Sequence, residues 1–308
     1  MHPELPLAGA AGPRPYLLTL GDLLLDVLVD GDLRRESDTT GAVQLYPGGS
    51  AANFAAGAAQ QGARVRFVGR VGADAAGKLL VQDLQDRGIL TEVRVVPGST
   101  TGTVLVIRNG DGPGSSRMWS NPGASATLDP ADLDPQWFAG LDAFHLTGYS
   151  LLRPGPRPAA LHALALARSG APGVLCSLDP NPGHLLADAG PAWFRNLVAE
   201  LHVDLLFPNL EEGRLLAGAD DPPAIVDRLL SLAPLVVLTL GARGCLLGWG
   251  GERRHLAAAR AHAVDTTGAG DAFAAGFVTA YLANRDPIRA AAAATAAAAA
   301  VVKRPGGR

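Results

Sequence analysis

Lysine is nearly missing from this 308-residue sequence: Lys78 and Lys303 are the only two among 26 Lys+Arg. Chemistry that needs an ammonium group, such as a Schiff base or a phosphate-gripping lysine, therefore has two candidates at most. Cationic excess is missing as well. The 26 Lys+Arg face 29 Asp+Glu, a net charge of −3 without the basic footprint of a nucleic-acid binder. Cysteine is limited to Cys176 and Cys245, each inside a short apolar run. That pattern excludes a disulfide framework or a cysteine metal clip and fits reduced, buried thiols in a cytoplasmic setting. Long hydrophobic runs are absent too. The alanine-rich stretch Ala290–Val302 is too short and too weakly apolar to cross a bilayer about 30 Å thick. Met1–Pro15 is proline-rich and lacks the basic and apolar regions of a signal peptide, so it reads as a loose tail and no membrane partner is expected.

What is present is apolar. Hydrophobic residues reach 48% and charged ones only 18%, which excludes a disordered chain. The 38 glycines and 23 prolines follow no period, so the chain is neither collagen-like nor a repeat array. Short apolar runs at Tyr16–Leu20, Val65–Val68, Phe144–Leu146, Val174–Leu178, Leu205–Phe207 and Leu235–Leu238 read as strands covered on both faces. Helical patterns lie between them at Ser50–Gln61, Gly77–Arg87, Arg157–Arg168, Ala192–Leu201, Leu210–Ala217 and Ile225–Leu232. The alternation predicts an α/β fold, a mostly parallel central sheet between two helical layers. Residues 27–47 and 92–121 break the rhythm with short β patterns and turns, and are expected to form a small second sheet. It is read as a lid over the strand ends, inserted into one unit spanning 16–308. Gly268–Val302 reads as two helices of small residues broken near Asn284–Pro287.

Two glycine motifs invite a nucleotide reading. Gly72 to Lys78 nearly matches a phosphate-binding loop, but Leu79 stands where a hydroxyl should bind Mg²⁺, so it reads as an ordinary amphipathic helix. Gly268-Ala269-Gly270-Asp271-Ala272-Phe273 begins like a dinucleotide fingerprint but has Phe273 in place of the third glycine, and helix rather than strand follows. By its residues alone it is either an anion cradle at a helix N-terminus or an Asp-capped, tightly packed helix start.

The whole stretch Val264–Phe273 closely resembles the second signature of the ribokinase-like (PfkB) carbohydrate kinases. The resemblance implies a three-layer α/β/α domain with a β lid, and an enzyme that moves the γ-phosphate of ATP to the primary hydroxyl of a small sugar. It implies Asp271 as the catalytic base and the Gly268, Ala269 and Gly270 amides as holders of the phosphoryl group. Pro47-Gly48-Gly49-Ser50-Ala51-Ala52-Asn53 resembles the first signature, placing Gly48, Gly49 and Asn53 on the sugar, with Ser50 also suited to cap a helix. Gly21–Asp26 resembles the first strand with its sugar-binding aspartate, Asp26. Asn209-Leu210-Glu211-Glu212 resembles the Asn-x-x-Glu element, with Asn209 and Glu212 near the phosphates and Glu212 reaching Mg²⁺ through water. Thr239–Gly244 resembles the turn beside the nucleotide, with Thr239, Gly241 and Gly244 in contact. Asp265 and the Thr267 carbonyl are the expected K⁺ contributors. A homodimer through the lids is a further expectation.

Departures from the family pattern bear on the substrate. Ser50 stands where ribokinases proper have lysine, which weakens ribose. Asp179-Pro180-Asn181-Pro182 is followed by Gly183, so the arginine that binds a carboxylate in ketodeoxygluconate kinases and many fructokinases is missing there. Arg70, Arg108 or Arg117 could meet an anionic substrate instead. A nucleoside kinase of the same family is the alternative, followed by a non-catalytic sugar sensor and, last, a dinucleotide oxidoreductase.

Overall fold

A computed structural model describes residues 14–30, 42–108 and 117–308. The expected tail over 1–13 and the turns at Gly31 and Gly110–Gly112 lie outside the described residues. In chain order the strands are β1 (Tyr16–Gly21), β2 (Leu24–Asp30), β3 (Ala42–Gly48), β4 (Arg64–Gly72), β5 (Leu90–Val96), β6 (Gly102–Arg108) and β7 (Arg117–Asn121). There follow β8 (Ala143–Thr147), β9 (Leu175–Asp179), β10 (Leu205–Leu206), β11 (Leu235–Thr239), β12 (Cys245–Trp249) and β13 (Glu252–Leu256). The first helices are α1 (Ser50–Gln60), α2 (Ala75–Asp86), α3 (Gly148–Leu152), α4 (Arg157–Gly170) and α5 (Gly183–Ala189). The rest are α6 (Pro191–Leu201), α7 (Leu210–Ala217), α8 (Pro222–Leu229), α9 (Ala269–Asn284) and α10 (Pro287–Val301).

Nine strands form the main sheet in the order β13-β12-β11-β10-β9-β8-β1-β4-β5. Pairing is parallel from β11 through β5, and β12 and β13 add an antiparallel edge. The six strands expected from apolar runs are all in it. Their continuous hydrophobicity follows from burial on both faces: every residue of β1, β8 and β9 is buried. Side chains alternate between two cores. Leu18 and Leu20 face the layer of α3 to α8, whereas Leu17 faces α1, α2, α9 and α10.

The second core is built from small residues at close range. A Cβ on Gly57 of α1 would press on Ala275 of α9, and one on Gly276 of α9 would press on Ala294 and Ala297 of α10. The alanine tract is thus one partner in a three-helix layer, packed closely because its side chains are short.

The small sheet has the order β3-β2-β6-β7, with β2 and β6 parallel and the outer pairs antiparallel. Its sequence limits differ from 92–121 at one end: Leu90–Val96 pairs with β4 on the main sheet. An edge strand with only one buried face alternates like a lid strand, so periodicity alone could not separate the two.

Candidate active site

The site lies where α/β sheets bind ligands, beyond the carboxyl ends of the parallel strands. Asp22 follows β1, Asp179 ends β9, Asn209 follows β10 and Thr239 ends β11.

One half of the site is organised around the start of α1. Sequence reasoning gives Ser50 as its cap, but Gly49 occupies that position with φ 102° and offers no side chain. The cap is supplied from a distance. The amides of Ser50 and Ala51 donate to the Asp22 carboxylate at 2.7 and 3.2 Å. That frees the Ser50 hydroxyl, which donates to Asp271 Oδ1 and accepts from Asn181 Nδ2 at 2.7 Å. Asn53, one turn further, donates from Nδ2 to Asp271 Oδ2 at 2.9 Å. Asp26 comes in from β2 beside Gly48, where any Cβ would overlap its carboxylate. Gly49 is likewise pressed against the Asp22 carbonyl. Asp26, Gly48, Gly49 and Asn53 therefore gather with Asp271, which lies more than 200 residues further along the chain.

The second half opens from the N-terminus of α9. Gly268 precedes this helix in the left-handed region at φ 72°, and a Cβ there would strike the Gly307 backbone. The Ala269 amide turns onto the Thr266 carbonyl at 3.2 Å, so of the expected cradle Gly268 and Gly270 line the adjoining cleft while Ala269 lines the next one. The first cleft measures about 180 Å³ and is edged by Asp179, Asn181, Asn209, Glu212, Thr239 and Asp271. Asn209 and Glu212 form a reciprocal cap on α7, with the Glu212 amide on Asn209 Oδ1 at 3.0 Å and the Asn209 amide on Glu212 Oε2 at 2.9 Å. The second cleft, about 390 Å³, is lined by Gly241, Gly244, Phe273 and the alanines 298 and 299 of α10. Thr239 borders both clefts.

Burial dominates the electrostatics. It pushes Asp271 up to about 7, although the hydrogen bonds from Ser50 and Asn53 pull the other way. Asp26 is pushed to about 7 by burial, against the attraction of Arg308, and Glu212 to about 7 by burial. Asp179 rises well above the carboxylate range through burial and the charges of Glu212 and Asp271. Three carboxylates facing one small cleft form a hard-oxygen environment of the kind Mg²⁺ prefers. Among the described residues no group of three His, Cys, Asp or Glu side chains is arranged to hold a metal directly. A divalent ion held here by one or two carboxylates would keep several of its waters.

Asp265 and Thr267 sit outside this constellation and hold each other. Asp265 Oδ1 accepts from the Thr267 amide at 2.9 Å and its hydroxyl at 2.7 Å, and Oδ2 accepts from the Gly306 amide at 3.1 Å. Arg70 is not available to an anionic substrate, because its guanidinium is bound to Asp132 and Thr127. The side chains of Arg108 and Arg117 lie outside the described residues.

Sequence reasoning assigned no role to Asp22, Asn181 or Arg308, and gave Ser50 only that of a helix cap. Each acts through a partner far away in the chain, which a local motif does not identify. Arg308 enters the half around α1 with a side chain only 2% exposed, donating to the Gly48 carbonyl at 2.9 Å and to Asn53 Oδ1 at 3.0 Å.

Comparison with known proteins agrees with this architecture. Residues 15–308 match the model of the pfkB family carbohydrate kinases. A 2-dehydro-3-deoxygluconokinase of Thermoproteus tenax is 33% identical over 283 residues, covering 89% of this chain and 84% of the relative. A fructokinase of Vibrio cholerae O395, solved with fructose, ADP and calcium, superposes with a TM-score of 0.79 at 25% identity, covering 96% of this chain and 94% of the other. An aminoimidazole riboside kinase of Salmonella enterica, solved with aminoimidazole riboside and an ATP analog, gives a TM-score of 0.79 at 25% identity, covering 95% of each chain. Matched along nearly its whole length, with a ribokinase-like fold and a buried aspartate at the head of α9, this chain belongs to the pfkB family of carbohydrate kinases, phosphotransferases with an alcohol group as acceptor.

Proposed function

We propose that the protein transfers the γ-phosphate of ATP to the primary hydroxyl of a small sugar of the fructose or keto-sugar class, with Asp271 as general base. The observation that carries this reading is the position of Asp271. It lines the acidic cleft beside the α9 N-terminus, and it is hydrogen-bonded from the acceptor side by Ser50 and Asn53. A hydroxyl that displaces one of these donors comes within reach of the carboxylate. The proton passes to Asp271, the hydroxyl oxygen bonds to the γ-phosphorus, and the bond from that phosphorus to the β-phosphate oxygen breaks to release ADP. Backbone amides and the dipole at the start of α9 face the negative charge of the group in transit. Mg²⁺ would supply charge neutralisation at the phosphates, and Glu212 and Asp179, which line the same cleft, would hold it through its waters. The larger, mostly apolar cleft lined by α10 suits the nucleotide's base and ribose. Asp26, Gly48 and Asn53 orient the sugar, and the small sheet closes over it to exclude water.

The riboside kinase similarity supports a nucleoside acceptor as the second reading. An ADP-release assay over neutral sugars, sugar acids and ribosides separates the two. Asp271→Asn tests the mechanism: turnover is expected to fall about 10²- to 10⁴-fold with sugar binding retained, the range for a general base. Wild-type turnover in that variant would refute the assignment.

A further inference from the structure

The segment Gly306-Gly307-Arg308 threads between the two halves of the site. A Cβ on Gly306 would press on Tyr46 of β3, one on Gly307 would overlap Asn53, and Gly307 itself fills the space beside Gly268. The two glycines let the backbone pass, and they deliver Arg308 to the acceptor side. Its guanidinium is held on two edges. Nε donates to Asp83 Oδ2 of α2 at 2.8 Å, and Nη1 serves the Gly48 carbonyl and Asn53 Oδ1. Nη2 is buried and, among the described residues, has no hydrogen-bond partner. A buried donor left unpaired is costly, the more so on a charged group, and so marks a place where a ligand atom or a water completes the bonding.

Arg308 also fixes Asn53. Because Nη1 donates to Oδ1, the amide of Asn53 can only point Nδ2 at Asp271, as observed. Its positive charge, by contrast, is already offset. Asp83 is its ion-pair partner at 2.8 Å, and Asp26 and Asp271 are close enough to feel its charge. Arg308 therefore presents a directed N–H donor without net positive charge, next to an Asp26 carboxylate able to accept from a hydroxyl. A neutral sugar with adjacent hydroxyl and carbonyl or ring oxygens satisfies both; a sugar acid would bring a further negative charge among Asp22, Asp26 and Asp271.

We infer that Arg308 is a specificity-determining residue of the acceptor site, donating from Nη2 to an oxygen of a neutral sugar while holding Asn53 in register with Asp271. The inference rests on the kinase reading above and names its substrate class. Steady-state kinetics of the full chain with ATP test it, using D-fructose and 2-dehydro-3-deoxygluconate as acceptors, together with calorimetric titration of D-fructose. Wild type should favour fructose over the sugar acid. Arg308→Ala should raise both the KM and the Kd for fructose roughly tenfold to hundredfold, as expected for loss of one hydrogen bond to a charged group, with the KM for ATP unchanged. Arg308→Lys, which keeps the charge but loses the fork, should recover only part of the loss. Asp83→Asn should give a smaller change of the same sign, with the melting temperature of all variants checked so that the KM split is read on folded protein. Unchanged or tighter fructose binding in Arg308→Ala overturns the inference, as does wild-type preference for the sugar acid. A wild type that turns over no sugar at all instead overturns the kinase reading, and the inference with it.

Discussion

In the proposed mechanism Asp271 combines two roles that pull its ionisation in opposite directions. As a base it must be deprotonated; as a buried group it is driven toward its neutral form and up to about 7. The donors on its two oxygens, Ser50 and Asn53, are what keep the ionised form within reach. The kcat/KM for the acceptor, which reports the free enzyme, should therefore decline as pH falls below about 7. Asp26 and Glu212 are displaced to similar values, so that acid limb belongs to the cluster and not to one carboxyl. Asn53→Ala removes a hydrogen bond that favours the charged form, and its limb should move to higher pH. A pH–rate profile of the two proteins checks this; coincident limbs would dissociate Asn53 from the base.

Among the elements, the β3–α1 connection does most to join sheet and site. Gly48 ends β3 and abuts Asp26, Gly49 caps α1, and the next residues point at Asp271. Gly48→Ala would push the Asp26 carboxylate aside, and kcat/KM for the sugar is expected to drop about 10²-fold, the scale of a displacement near 1 Å. Varying ATP and sugar separately should locate the loss in the sugar. This connection was legible in the sequence because its glycines and Asn53 lie within six residues of one another. The α9 start was legible for the same reason, with Gly268, Gly270 and Asp271 contiguous. Contacts between elements were not. Asp22 caps α1 from 28 residues away, and Arg308 reaches Asn53 across 255. Likewise β13 was overlooked, since Glu252–Leu256 is largely exposed and carries no apolar run; β12 was passed over although Cys245-Leu246-Leu247 is apolar and buried.

At the scale of the molecule, gathering carboxylates in a buried crevice makes stability depend on pH. Asp26, Asp271 and Glu212 have folded values near 7, against ordinary values of 3.8, 3.8 and 4.5, and Asp22 and Asp179 are raised in the same direction. Between about pH 4 and 7 the folded protein therefore holds protons that the unfolded chain has released, and stability falls as pH rises through that window. His145, buried against Phe54 and pushed down to about 3, acts in the opposite sense but is one group against five. The ligand-free melting temperature should be higher at pH 5 than at pH 8, and Asp271→Asn should flatten the difference. A slope of the opposite sign would contradict the carboxylate burial described here.

The sequence by itself determined the α/β class, the buried strands and the two glycine-framed motifs. Each of these rests on neighbours in the chain: periodicity, apolar runs and the backbone freedom of adjacent glycines. The scarcity of lysine also proved informative, because helix amides, carboxylates and one buried arginine occupy the places where an ammonium would otherwise be expected. Only the tertiary structure decided that Asp22 caps α1, that Ser50 is thereby free for Asp271, and that Arg308 lies beside Gly48 and Asn53. Those are contacts over tens to hundreds of residues, fixed by how two helical layers close on a sheet, and no local pattern encodes them.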